Sequence, residues 1–216
     1  MLVKKVALDA KTLLNPASPE WEKVPVESVG LGGTPLTNQP SRYIRTVWAD
    51  RPIGKVRFLN VRAVHNGKDV LFQLEWRDES KDVDFIGRGF PDGAGVLFPL
   101  NGDAPLATMG SGEAPVNAWF WRADEPEAAR NVRAGGIGTV EDSEKSRISA
   151  RSDWKDGTWR LVLSRPLAVA DQKGEAVQLA AGGSTKIAFA VWEGGNGERA
   201  GIKAFSKQWR ELSLEG

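Results

Sequence analysis

Short β-patterned runs of apolar residues, some alternating with polar ones, recur along the whole chain. They predict strands at Val3–Leu8, Lys55–Val64, Val70–Trp76, Val96–Pro99, Val116–Trp121, Ile148–Trp154, Thr158–Leu163, Lys186–Trp192 and Trp209–Leu214. Thr158-Trp-Arg-Leu-Val-Leu-Ser164 sets Trp159, Leu161 and Leu163 on one face and Arg160, Val162 and Ser164 on the other. Gly, Pro, Asn and Asp punctuate the runs, as in His65-Asn-Gly-Lys-Asp69 and Lys155-Asp-Gly157. Helical periodicity is scarce, with Glu125–Arg133 the one segment expected to form a short helix or helical turn. The expected fold is therefore an all-β antiparallel sandwich with at most short helices, a single domain over 1–216. Residues 1–54 are expected to form an arm wrapping it, irregular from residue 11 onward, where proline and polar residues concentrate.

Charge adds little to this pattern. Lys plus Arg number 29 against 28 Asp plus Glu, so no basic face for nucleic acid or anionic lipid is implied. No apolar run has the length of a membrane span, and Met1–Pro16 lacks the continuous apolar core of a secretory signal. The chain is thus expected either to be made without a leader or to be a mature sequence with an added start methionine. The absence of cysteine removes disulfides, iron–sulfur ligation, thiolate zinc and covalent c-type haem attachment.

Tryptophan, with nine copies, outnumbers tyrosine and histidine, with one each. It can build a core or a ligand platform. The one histidine, His65, lies in a turn-like sequence and is expected to be exposed, and a single histidine excludes bis-histidine haem ligation. A Ser-His-Asp triad would depend on that same residue, there is no G-x-S-x-G elbow, and Asp78, Glu79 and Asp82 are not paired across any recognisable cleft, so catalysis by this chain alone is not expected.

Met109 is the only methionine besides Met1. It sits between Gly/Pro-rich turns just before Asn117-Ala-Trp-Phe-Trp-Arg122. Methionine used as core filler normally comes in several copies, so a lone thioether here is a candidate soft ligand of the kind that binds haem iron and raises its potential. Taken in order, Met109–Trp121 (MGSGEAPVNAWFW), Leu71–Ser80 (LFQLEWRDES), Trp154–Leu167 (WKDGTWRLVLSRPL) and Ile187–Trp209 (IAFAVWEGGNGERAGIKAFSKQW) resemble the haem b-binding gamma subunits of periplasmic molybdenum enzymes of the ethylbenzene dehydrogenase, dimethylsulfide dehydrogenase, selenate reductase and chlorate reductase type. The resemblance covers residues 40–215 or so.

The resemblance implies a haem b held by two axial donors, and Met109 matches the family's methionine. Lys203 matches its lysine, which precedes a serine and then a tryptophan near the C-terminus. Here Lys203, Ser206 and Trp209 have one more residue between serine and tryptophan than the pattern expects, which keeps Lys207 open as the alternative. An ammonium has no lone pair, and releasing its proton at neutral pH costs about 4–5 kcal/mol from an ordinary lysine. The glycines and apolar residues around Lys203 suit that better than the surroundings of Lys207, beside Gln208 and Arg210. Gly110, Gly112 and Gly201 would let backbone approach a flat ring. Asn117, Arg122 and Arg199 are the expected partners of haem carboxylates.

The resemblance further implies an electron-transfer subunit, not itself catalytic. Its expected partners are a molybdenum-cofactor catalytic subunit and an iron–sulfur subunit in a heterotrimer, plus a soluble carrier such as cytochrome c, in the periplasm. The alternative from a different class is a carbohydrate-binding β-sandwich module that stacks sugars on exposed tryptophans.

Overall fold

In the computed structural model, which describes all residues except 86–88, 145 and 173, thirteen strands form two packed layers. They are β1 Leu2–Lys5, β2 Glu27–Gly33, β3 Phe58–His65, β4 Asp69–Arg77, β5 Gly93–Pro99, β6 Val116–Arg122, β7 Ala129–Ala134, β8 Val140–Asp142, β9 Ser149–Lys155, β10 Thr158–Pro166, β11 Ser184–Trp192, β12 Ala204–Ser206 and β13 Arg210–Leu214. One sheet runs β2-β3-β4-β10-β9 and the other β8-β7-β6-β5-β11-β12. The expected antiparallel β-sandwich is the fold found.

Two strands join the layers. β2 pairs with β3 through Glu27–Gly30 and with β12 through Leu31–Gly33. β1 runs parallel to β13 at Leu2 and Val3 and parallel to β3 at Lys4 and Lys5. The arm is therefore less irregular than its sequence implies. It also carries two short helices, α1 Ala10–Leu13, capped by Asp9, and α2 Arg42–Val47, capped by Ser41.

Period-two alternation explains the core. Phe72, Leu74 and Trp76 of β4 and Trp159, Leu161 and Leu163 of β10 face Val96 and Phe98 of β5, Trp119 and Trp121 of β6 and Phe189 and Val191 of β11. Trp76 stacks on Trp159 at 6.1 Å and Trp121 meets Trp159 edge-on at 5.3 Å. Outside the first sheet, Leu13 and Trp21 of the arm cover Val64, Leu71 and Val162.

Two expectations fail. Glu125–Arg133 is a turn leading into β7 rather than a helix, because Ala129 and Asn131 face the core and β6 offers a full register from Val116 to Trp121. That pairing outweighs the helical preference of its Glu, Ala and Arg residues. His65 is buried rather than exposed: it ends β3 beneath β1, with Nδ1 accepting from Gly67 N at 3.3 Å.

Candidate haem site

The second sheet has an outer face as apolar as its inner one. Cross-strand register puts Phe120, Gly95, Ala190 and Phe205 in one row, with Ala118, Leu97 and Ala188 on one side of it and Arg122, Gly93 and Trp192 on the other. Glycine and alanine in the middle of two of these rows, Gly95 with Ala190 and Gly93, make a low floor, flanked by Leu97 and the larger side chains. A Cβ on Gly95 would meet the Trp192 ring at 3.6 Å.

Two loops rise over this floor from opposite ends of the sheet. The 100–115 loop joins β5 to β6 and carries Met109; the 193–203 loop follows β11 and carries Lys203. Met109 caps the short helical turn Leu106–Thr108 and is half-buried against the floor. Its backbone is left-handed, with φ 60° and ψ 43°, a conformation that costs a non-glycine residue free energy and collects at functional sites. Its carbonyl accepts from Gly136 N at 3.2 Å.

Lys203 is 3% exposed. Among the described residues its ammonium has neither a carboxylate nor a hydrogen-bond acceptor, and it lies over the Trp192 ring, 5.1 Å from the centroid. Burial with nothing to hold the proton pushes its pKa down to about 8. Trp192 is fixed in turn, its Nε1 donating to the carbonyl of left-handed Ala200 at 3.0 Å and its ring meeting Phe120 edge-on. Lys207 is exposed and lies along Gly32.

The structure thus brings Met109 and Lys203 to one face, and the remaining expected site residues fare differently. Gly110 is needed by the loop itself: at φ 87°, a Cβ would fall 2.8 Å from Ala134 O and 2.9 Å from Ala114 O. Gly201 gives its space to the Gln39 side chain, and Gly112 is exposed. The glycines that open the floor are Gly93 and Gly95, which the sequence reading passed over although Gly93-Ala-Gly95 alternates small residues as a packed floor requires.

Asn117 points the other way, into the space between the sheets, where it is fully buried. Its Nδ2 donates to Asn131 Oδ1 at 2.8 Å and Val132 O at 3.1 Å, and its Oδ1 accepts from Val177 N at 3.1 Å. Strand alternation puts it opposite Ala118 and Phe120, so it has no reach to the floor.

Arg122 and Arg199 do reach the floor's edge. Together with Arg130, Phe85, Phe90, Phe120 and Trp192 they line a cleft of about 320 Å³. Arg122 makes a two-pronged pair with Asp124, at 2.7 and 2.6 Å. Arg199, by contrast, has its guanidinium over the Phe90 ring at 4.1 Å and no acidic partner among the described residues.

Behind the 193–203 loop lies a group of buried carboxylates that fixes its course. Asp92 accepts from Gly194 N at 2.8 Å, Asp82 N at 2.9 Å and Trp159 Nε1 at 3.0 Å. Asp78, close by, is pushed well above the ordinary carboxylate range by burial first and by Asp92 and Glu193 second. Glu193 pairs with Lys55 at 2.7 Å. Asp92 holds the backbone at Gly194 and Asp82, while Asp78 accepts from Ser80 N at 3.2 Å through Oδ1 and keeps Oδ2 buried without a hydrogen-bond partner among the described residues.

None of the nine tryptophans is exposed. Six are buried, and Trp154, Trp192 and Trp209 are half-buried, packed against the core or beside the floor.

Comparison with known proteins follows the same line. The profile of the family described as Ethylbenzene dehydrogenase matches residues 18–141 and 130–204. Chlorate reductase subunit gamma of Ideonella dechloratans is 33% identical over 98% of this chain and 84% of its own length. A protein of Haloferax mediterranei named as a respiratory nitrate reductase heme subunit is 33% identical over 89% of this chain, which spans 65% of that relative. Among solved structures, a family 9 carbohydrate binding module from Caldicellulosiruptor kristjanssonii in complex with glucose superposes with a TM-score of 0.54 at 7% identity, covering 100% of this chain and 95% of the module. At that identity the likeness is one of fold.

Proposed function

Because the chain belongs to the ethylbenzene dehydrogenase family, we propose that it is the gamma, electron-transfer subunit of a periplasmic molybdenum oxidoreductase, holding one noncovalent haem b between Met109 and Lys203. Its partners in this reading are a molybdenum-cofactor catalytic subunit and an iron–sulfur subunit, with a soluble carrier such as cytochrome c taking or giving the electron. No helix among the described residues is long and apolar enough to cross a membrane.

The observation that carries the proposal is a buried lysine amine with no acceptor among the described residues and a half-buried thioether on a left-handed backbone, packed on the same face of one sheet. Met109 and Lys203 would hold the haem iron, each supplied by a loop from a different end of the sheet. When bound, the haem would supply a one-electron couple, and every other contribution is the chain's. Burial lowers the cost of freeing the Lys203 lone pair, because desolvation brings its pKa down to about 8. Met109 adds a soft donor that favours ferrous iron. Gly93, Gly95, Ala188 and Ala190 leave room and exclude water. Arg199 is the guanidinium best placed by its lack of an acidic partner to meet a haem carboxylate, and Arg122 is second to it because Asp124 already engages it.

The relay is tested in the purified complex. After reduction with dithionite and rapid mixing with ferricytochrome c, the b-type haem bands should reoxidise as cytochrome c is reduced, and a Lys203→Ala complex should react at least about tenfold more slowly. Undiminished cytochrome c reduction by a complex whose gamma chain carries no haem would contradict the proposal.

A further inference from the structure

Between β2 and Gly54 the arm leaves the sheet and returns. The base of this excursion is tight: Gly54 would place a Cβ 2.6 Å from Gly33 Cα. The returning end is held by buried Glu198, whose Oε1 accepts from Gly54 N at 2.8 Å and Lys55 N at 2.9 Å. The outgoing end touches both loops that rise over the floor.

Thr34 N donates to Lys203 O at 3.0 Å, Lys203 N donates to Thr34 Oγ1 at 3.0 Å, and the hydroxyl donates to Lys203 O at 2.9 Å. Gln39 Nε2 donates to Gly201 O at 2.9 Å, its side chain filling the space that Gly201 leaves. Between them, Asn38 Nδ2 donates to Ala107 O at 3.3 Å, inside the turn that Met109 caps. Thr34 and Gln39 are buried, 6% and 5% exposed, so water cannot replace what they supply.

We infer that Thr34–Gln39 is a clasp that fixes the Met109 and Lys203 loops relative to each other, with Thr34, Asn38 and Gln39 as positioning residues for the two donors. Its meaning for ligation rests on the haem reading above; the coupling of the loops does not.

Hydrogen exchange of the full haem-free chain, read by mass spectrometry, tests the coupling. Thr34→Val should raise exchange about tenfold in residues 201–204 and also in 106–110, which Thr34 does not touch, while Thr34→Ser should restore it. Asn38→Leu, at a half-buried position that tolerates change, should likewise loosen 201–204. Faster exchange confined to the loop each residue touches would overturn the clasp. In haem-loaded protein, Thr34→Val should speed haem loss about tenfold and Thr34→Ser should restore retention. A wild-type chain that takes up no haem would count against the ligation reading alone, leaving the exchange result to decide the clasp.

Discussion

Lys203→Ala is expected to turn a six-coordinate, low-spin haem spectrum into a high-spin or ligand-exchanged one and to weaken haem retention by at least about tenfold. Outer-shell partners of a metal site already cost ~10–100-fold when removed, and an axial donor should cost no less. The specificity of the effect is its test. Lys207→Ala and His65→Ala should leave the low-spin bands intact, because Lys207 is exposed along Gly32 and His65 is buried beneath β1, away from the floor. Loss of the bands in Lys207→Ala with retention in Lys203→Ala would transfer the role to Lys207.

Met109→Ala should lower the reduction potential on the order of 100 mV, which at ~59 mV per tenfold corresponds to a shift of about fiftyfold in the preference for ferrous iron. Thioether sulfur is a soft donor, and water or a vacant position in its place would not favour the reduced state to the same degree. The substitution also removes a large side chain from a left-handed position without relieving the backbone, since alanine is no better suited than methionine to φ 60°. A change in potential without a change in melting temperature would therefore report ligation rather than folding. An unchanged potential would make Met109 a packing residue.

Both donors were legible before any coordinates, though by different signals. Met109 stands out as a solitary methionine, whereas Lys203 is one of many lysines and was identified only through the resemblance, with Lys207 unresolved until burial separated them. Most strands follow from alternation, and those missed are the ones where alternation is weak. β12 is three residues long, β8 is three exposed residues, and β2, Glu-Ser-Val-Gly-Leu-Gly-Gly, reads as loop because glycine is a poor strand former that is needed here where chain segments crowd.

The floor illustrates a deeper limit. A period-two pattern shows that residues share a face without saying which layer the face meets, so it does not place Gly93, Gly95, Ala188 and Ala190. Only the sheet order, which sets β11 beside β5, shows them lying together under two loops. Asn117 fails for the converse reason: proximity in sequence to Met109 and the Trp-Phe-Trp run suggested a ligand contact, while strand alternation turned it toward the opposite face. The contacts of Thr34–Gln39 with two distant loops are not legible in the sequence, because the side chains that make them carry no periodic signature.

Titration of the purified chain with haemin, followed by its visible spectrum, tests the central claim most directly. The account predicts saturation at one haem per chain with a six-coordinate low-spin spectrum, and a pigment that acid–acetone extracts fully and that gives a b-type pyridine haemochrome. Haemin uptake that never saturates, or a saturated complex that stays high-spin, would contradict a site closed by Met109 and Lys203.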